Sequence, residues 1–213
     1  MQDVTGSEYA AVRQTAWRTL LETGTCMLPA DVLAICRREG ICTGRTAAAP
    51  HVLQLLACGE PDAVAFRIDT QEYLLYDGAL GAAELRWALA REAGHCLLGH
   101  LEARPGAVAC SAGEAALCRQ AELFAAELLA PTCLWRRAGT ADAEQAAARF
   151  GVPPEKAAML AVAQVLAAQG ERQRRAALSP CAPGPAAARQ PDDNLASLLR
   201  AQMAQGAVTA CPR

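Results

Sequence analysis

Arg86-Trp-Ala-Leu-Ala-Arg-Glu-Ala-Gly-His-Cys-Leu-Leu-Gly-His100 is the stretch that decides how this chain of 213 residues is read. Leu85, Leu89, Gly94 and Leu98 are spread along it at helical spacing, which predicts a helix from about Ala82 to Gly99. Within it, Arg91, Glu92 and His95 stand at the spacing of H-E-x-x-H. In that pattern two histidines at i and i+4 share a helix face and hold zinc, while the glutamate activates a water. Here an arginine replaces the first histidine.

The composition frames that helix. Hydrophobic residues make up 53% of the chain but aromatics only 4%, and alanine supplies much of the rest. A closely packed, mostly helical domain with a tail is expected. The net charge of −2 argues against a dominant nucleic-acid or membrane field. The N-terminus lacks the charged and apolar regions of a signal peptide, and the apolar run near Met159 is too short to span a bilayer. A cytoplasmic protein follows as the expectation. Its 10 cysteines then read as reduced thiols, core fillers or occasional ligands. No Cys-x-x-Cys pair supports a zinc ribbon or a thioredoxin-like site.

Outward from the central helix, residues 8–23 carry Val12, Ala16 and Leu20 on one stripe and predict a first helix. Leu28-Pro29-Ala30-Asp31 opens a second, with the proline at its start, and Gly40 stops it. Residues 51–57 suggest a short helical turn. Ala63–Ile68 and Tyr73–Tyr76 predict a hairpin joined by Asp69–Glu72. Residues 103–113 read as a loop. Glu114–Leu129 is a strongly amphipathic helix that Pro131 ends. Asp142–Phe150, Gly151 to Pro154 and a helix from Glu155 to about Ala168 outline a helix–turn–helix-like unit over 142–168. Its second helix offers few side chains able to read base edges, so packing rather than direct nucleic-acid binding is expected. Ser179–Pro191 is a Pro/Ala-rich linker, and Asp192 to about Ala204 is a last short helix, either a docking peptide or a disordered tail.

The order of these pieces resembles the ImmA/IrrE family of metallo-endopeptidases. The resemblance is carried by Arg91-Glu-Ala-Gly-His95, by Leu97-Leu-Gly-His100, and by Phe124-Ala-Ala-Glu-Leu-Leu-Ala-Pro131 at a fitting distance. It implies a zincin-like α+β domain, mostly helical with a small sheet, over about 8–170, followed by the tail at 171–213. The implied chemistry is zinc-assisted peptide hydrolysis, with two helix histidines and one acidic residue of the later helix as ligands. Residue by residue, Glu92 falls on the general base, His95 on the second ligand and Arg91 on the first. Counting back from Phe124–Pro131 puts Cys118 on the acidic ligand.

A thiolate can replace a carboxylate, but a guanidinium offers no lone pair and stays protonated. Arg91 is therefore read as a lost ligand position, its cation standing near the missing ion with Glu92 or Glu122 as partner. Zinc is expected to be absent or weakly held, and the enzyme activity lost. Cys96 and His100 share a face, but on a continuous helix it is rotated about 100° from that of His95. They are auxiliary candidates only. Glu127 reads as a helix-surface charge as readily as a motif residue. The family further implies dealings with helix–turn–helix repressors in mobile-element or stress regulation, so the expected partner is such a protein, bound rather than cut. Two alternatives stand beside this: an active zinc endopeptidase with a rebuilt site, and a thiol-based metal or redox sensor using Cys96, Cys110 and Cys118.

Overall fold

The computed structural model describes residues 4–56, 61–101, 115–177 and 191–209. Helix α1 (Gly6–Glu22) begins in a capping box: Thr5 accepts from the Glu8 N–H, and the Glu8 carboxylate accepts from the Thr5 N–H at 2.7 Å. Helix α2 (Val32–Arg38) starts later than Pro29, because Asp31 is its N-cap and accepts from the Ala34 N–H at 3.0 Å.

A three-stranded sheet follows. Strand β1 (Cys42–Arg45) has no counterpart in the sequence reading. It is four residues long, contains a glycine, and exists through parallel pairing with a strand some thirty residues on. After the short helix α3 (Pro50–Leu55), β2 (Ala63–Ile68) and β3 (Gln71–Tyr76) form the expected hairpin. Ala63 is opposite Tyr76 and Ile68 opposite Gln71, so Gln71 and Glu72 belong to the strand and the connection shrinks to Asp69-Thr70. The strand order β1-β3-β2 leaves β2 at an edge.

Helix α4 (Ala82–Leu97) packs against β2 on one side and α5 (Ala115–Leu129) on the other. Trp87, Ala88, Leu89 and Ala90 are all buried, as are Glu92 through Cys96, so the helix is enclosed on nearly every face. Gly94 sets its distance from α5. A Cβ there would come within 3.0 Å of Phe124 Cδ1, and Phe124 is fully buried.

A 3-10 turn (Thr132–Leu134) and the short helix α6 (Trp135–Ala138) lead to α7 (Ala143–Phe150). Asp142 caps α7, and Gly151 closes it at φ +66. Helix α8 (Ala157–Ala177) runs nine residues beyond the expected Ala168. It buries Leu160 and Ala163, while Arg86 of α4 donates to the Gly151 carbonyl at 2.6 Å. Helix α9 (Pro191–Thr209) is seated on the chain itself. It buries Ala196 and Leu199, and Gln202 Nε2 donates to the carbonyls of Leu20 (2.9 Å) and Thr25 (2.6 Å). The loop expected over 103–113, and with it Cys110, lies outside the described residues, as does nearly all of the Pro/Ala-rich linker. Among the described residues no helix is long and apolar enough to cross a membrane.

Candidate functional site

The site lies where α4 faces β2 and α5. Glu92 and His95 are each 1% exposed, one helical turn apart, and Arg91 stands beside them with 26% of its side chain accessible. Arg91 Nε donates to Glu92 Oε1 at 2.9 Å, and the Ala65 N–H of edge strand β2 donates to Glu92 Oε2 at 2.9 Å. The cation's partner is thus Glu92 and not Glu122. Both oxygens of the carboxylate are engaged. Burial pushes its pKa above the ordinary carboxylate value, although Arg91 and the Ala65 N–H pull it down.

His95 is pushed the other way. Burial, then the neighbouring His100, then the Arg91 charge lower its pKa to about 3, so it is neutral at physiological pH. His100 reaches it because α4 does not continue to Gly99. Helix geometry ends at Leu97, and Gly99 takes a left-handed conformation at φ +74. Its N–H donates to Cys96 O at 2.9 Å, while the His100 N–H donates back to His95 O at 3.0 Å. This is a Schellman turn, and it folds His100 over the helix end. The separation of His95 from His100 expected for a continuous helix is thereby corrected. The ring nitrogens His95 Nδ1 and His100 Nδ1 lie 3.1 Å apart, with the rings edge to face. Cys96 points elsewhere. It is buried, and after burial its thiol is influenced most by Glu72 and Cys36.

From α5, Gln120 reaches His100. Its Oε1 lies 3.2 Å from His100 Nε2. The three side chains form one run of polar contacts, from His95 Nδ1 to His100 Nδ1 and from His100 Nε2 to Gln120. Sequence counting had chosen Cys118 for this role. Cys118 is disulfide-bonded, which corrects the expectation of reduced thiols at this position and leaves it no thiolate to offer. Gln120 was legible only as a residue four before Phe124, one helical turn back on the same face.

Glu127 is the other surprise. It is fully buried and accepts from the Tyr9 hydroxyl, Trp17 Nε1 at 2.9 Å, and the Thr132 N–H and hydroxyl at 3.1 and 2.9 Å. The Arg13 guanidinium lies over the Tyr9 and Trp17 rings, with its carbon 5.3 and 5.1 Å from their centroids. Glu127 is therefore a structural knot joining α1, α5 and the turn after it, not a surface charge.

Zinc in a catalytic site needs three lone-pair donors converging on one point and a fourth position for water. The first helix position here is a guanidinium, the thiol is tied in a disulfide, and Gln120 carries an amide. Among the described residues no three His, Cys, Asp or Glu side chains converge as such a set. This donor set does not fit the ion.

In comparisons with known proteins, the model of the IrrE N-terminal-like domain, peptidase M78, matches residues 50–160. The match takes in α3, the hairpin, both helices of the site and the first residues of α8. No curated protein and no solved structure matches the chain.

Proposed function

The chain belongs to the IrrE N-terminal-like family, and from that premise we propose that it keeps the cleft of a metallopeptidase but binds a protein partner there without hydrolysing it. The observation that carries this reading is the Arg91–Glu92 pair at 2.9 Å. A permanent cation occupies the first ligand position and engages the carboxylate that would activate water. It replaces the charge of an ion but not its Lewis acidity. The partner implied by the resemblance is a helix–turn–helix repressor in mobile-element or stress regulation. A cytoplasmic location goes with that partner.

Metal analysis of the purified full-length chain tests the reading. The expected result is no stoichiometric zinc and no chelator-sensitive cleavage of a co-purifying repressor. About one zinc per chain would defeat it, since three protein ligands are needed for firm binding. The geometry also supplies a gain-of-function arm. Arg91→His together with Gln120→Glu restores an imidazole at the first motif position and puts a carboxylate beside His100, and is expected to acquire zinc. Arg91→His with Cys118→Glu is not, because position 120 rather than 118 reaches His100.

A further inference from the structure

A guanidinium presents two edges suited to a carboxylate, one formed by Nε with a terminal nitrogen and one by the two terminal nitrogens. In Arg91 the first edge is taken, since Nε donates to Glu92 Oε1 at 2.9 Å. The second makes no hydrogen bond among the described residues, and the side chain is 26% exposed. The side chain is thus partly open to solvent. The group is also held. Glu92 is almost wholly buried and is fixed from behind by the Ala65 N–H at 2.9 Å, so the orientation of the fork is set before anything binds. Such preorganisation lowers the entropy cost of recognition.

Building on the reading of a cleft without zinc, we propose that Arg91 is a carboxylate receptor, its terminal edge taking a peptide carboxylate of the partner through two parallel N–H···O bonds. The neighbourhood selects that class. The Glu92 carboxylate already stands against the arginine, with Oε1 2.9 Å from Arg91 Nε. A dianionic phosphate would face that carboxylate with a single cation to hold it, whereas a monoanion in the plane of the fork meets matched geometry and charge. The carboxylate can come from a chain end or from an aspartate or glutamate side chain, and the two sources share the same chemistry.

The test is a titration of the 15N-labelled full-length chain, followed by NMR through the backbone amides of Ala65 and Glu92. The probes are acetyl-trialanine with a free C-terminus, its C-terminal amide, and acetyl-Ala-Asp-Ala amide. A saturable shift with the first probe assigns the chain end, with the third the side chain, and with both either source. In each case Arg91→Gln is expected to weaken the response about tenfold or more, and Arg91→Lys less, because the charge survives while the fork is lost. The melting temperature of each variant reports that the fold is kept. No response to either carboxylate, an equal response to the amide control, or a response unchanged in Arg91→Gln overturns the proposal. Zinc analysis of the same sample separates the two readings. A zinc-free chain that ignores carboxylates defeats this inference alone, and a zinc-loaded chain defeats the reading beneath it.

Discussion

Glu92 and Glu127 are both buried carboxylates on neighbouring helices, yet they are satisfied in different ways. Glu127 accepts four hydrogen bonds from Tyr9 and Trp17 of α1 and from Thr132 of the turn after α5. Glu92 accepts two, and one of them comes from the residue beside it. Burial raises the pKa of both. The first is a knot that the fold needs. The second is a carboxylate held by the arginine beside it, whose side chain is partly exposed. Two buried acids in two recognisable motifs thus have different uses, and the difference lies in where their donors come from.

Substitution at Glu127 should have the largest effect. Glu127→Gln leaves one acceptor oxygen for four donors and removes the charge that faces Arg13, which predicts a loss of about 3–5 kcal/mol in denaturant unfolding. A loss near zero would show the knot to be dispensable and erase the contrast with Glu92.

The next effect is one of pH at His95. The folded pKa of His95 is lowered to about 3, so the unfolded chain binds the proton more readily. The stability contributed by the neutral ring is present above its unfolded pKa of about 6.5 and is lost as pH falls towards 3, by up to about 4 kcal/mol. The difference between wild type and His95→Gln across that window isolates the histidine, since the two carboxylates are common to both. A flat difference would mean that the ring is freely solvated.

Glu92→Gln should have the smallest effect, within about 1 kcal/mol. The amide oxygen still accepts from Ala65, the buried charge is relieved, and Arg91 turns to solvent. A cost as large as that of Glu127→Gln would make Glu92 a second knot and remove the reason to place a ligand at Arg91.

The two helices and the turn between them and solvent differ in how far they could be read in advance. The 3.6-residue period of Leu117, Ala121, Phe124 and Leu128 is local, as is the arginine at position 91, so α5 and the altered motif were visible in the sequence. His100 was misplaced because a left-handed Gly99 ends α4 early, and a glycine inside an apolar helical pattern does not announce whether it stops the helix. Gln120 was overlooked in favour of Cys118 because counting back from Phe124–Pro131 gives a position along the chain, whereas the helix face decides which residue reaches His100. Strand β1 gave no alternation to detect, since its order comes from pairing with β3.

By itself the sequence determined the helices of the domain, the hairpin, and an arginine where H-E-x-x-H has its first histidine, because periodicity and residue chemistry are properties of short stretches. The tertiary structure alone decided that His95, His100 and Gln120 meet, that Glu92 closes on Ala65 and Arg91, that Glu127 is enclosed by α1, and that α9 lies on its own chain. Those outcomes join residues far apart in the chain. Their energies depend on burial and on which donor is close enough to satisfy a buried acceptor, and neither exists until the chain has folded.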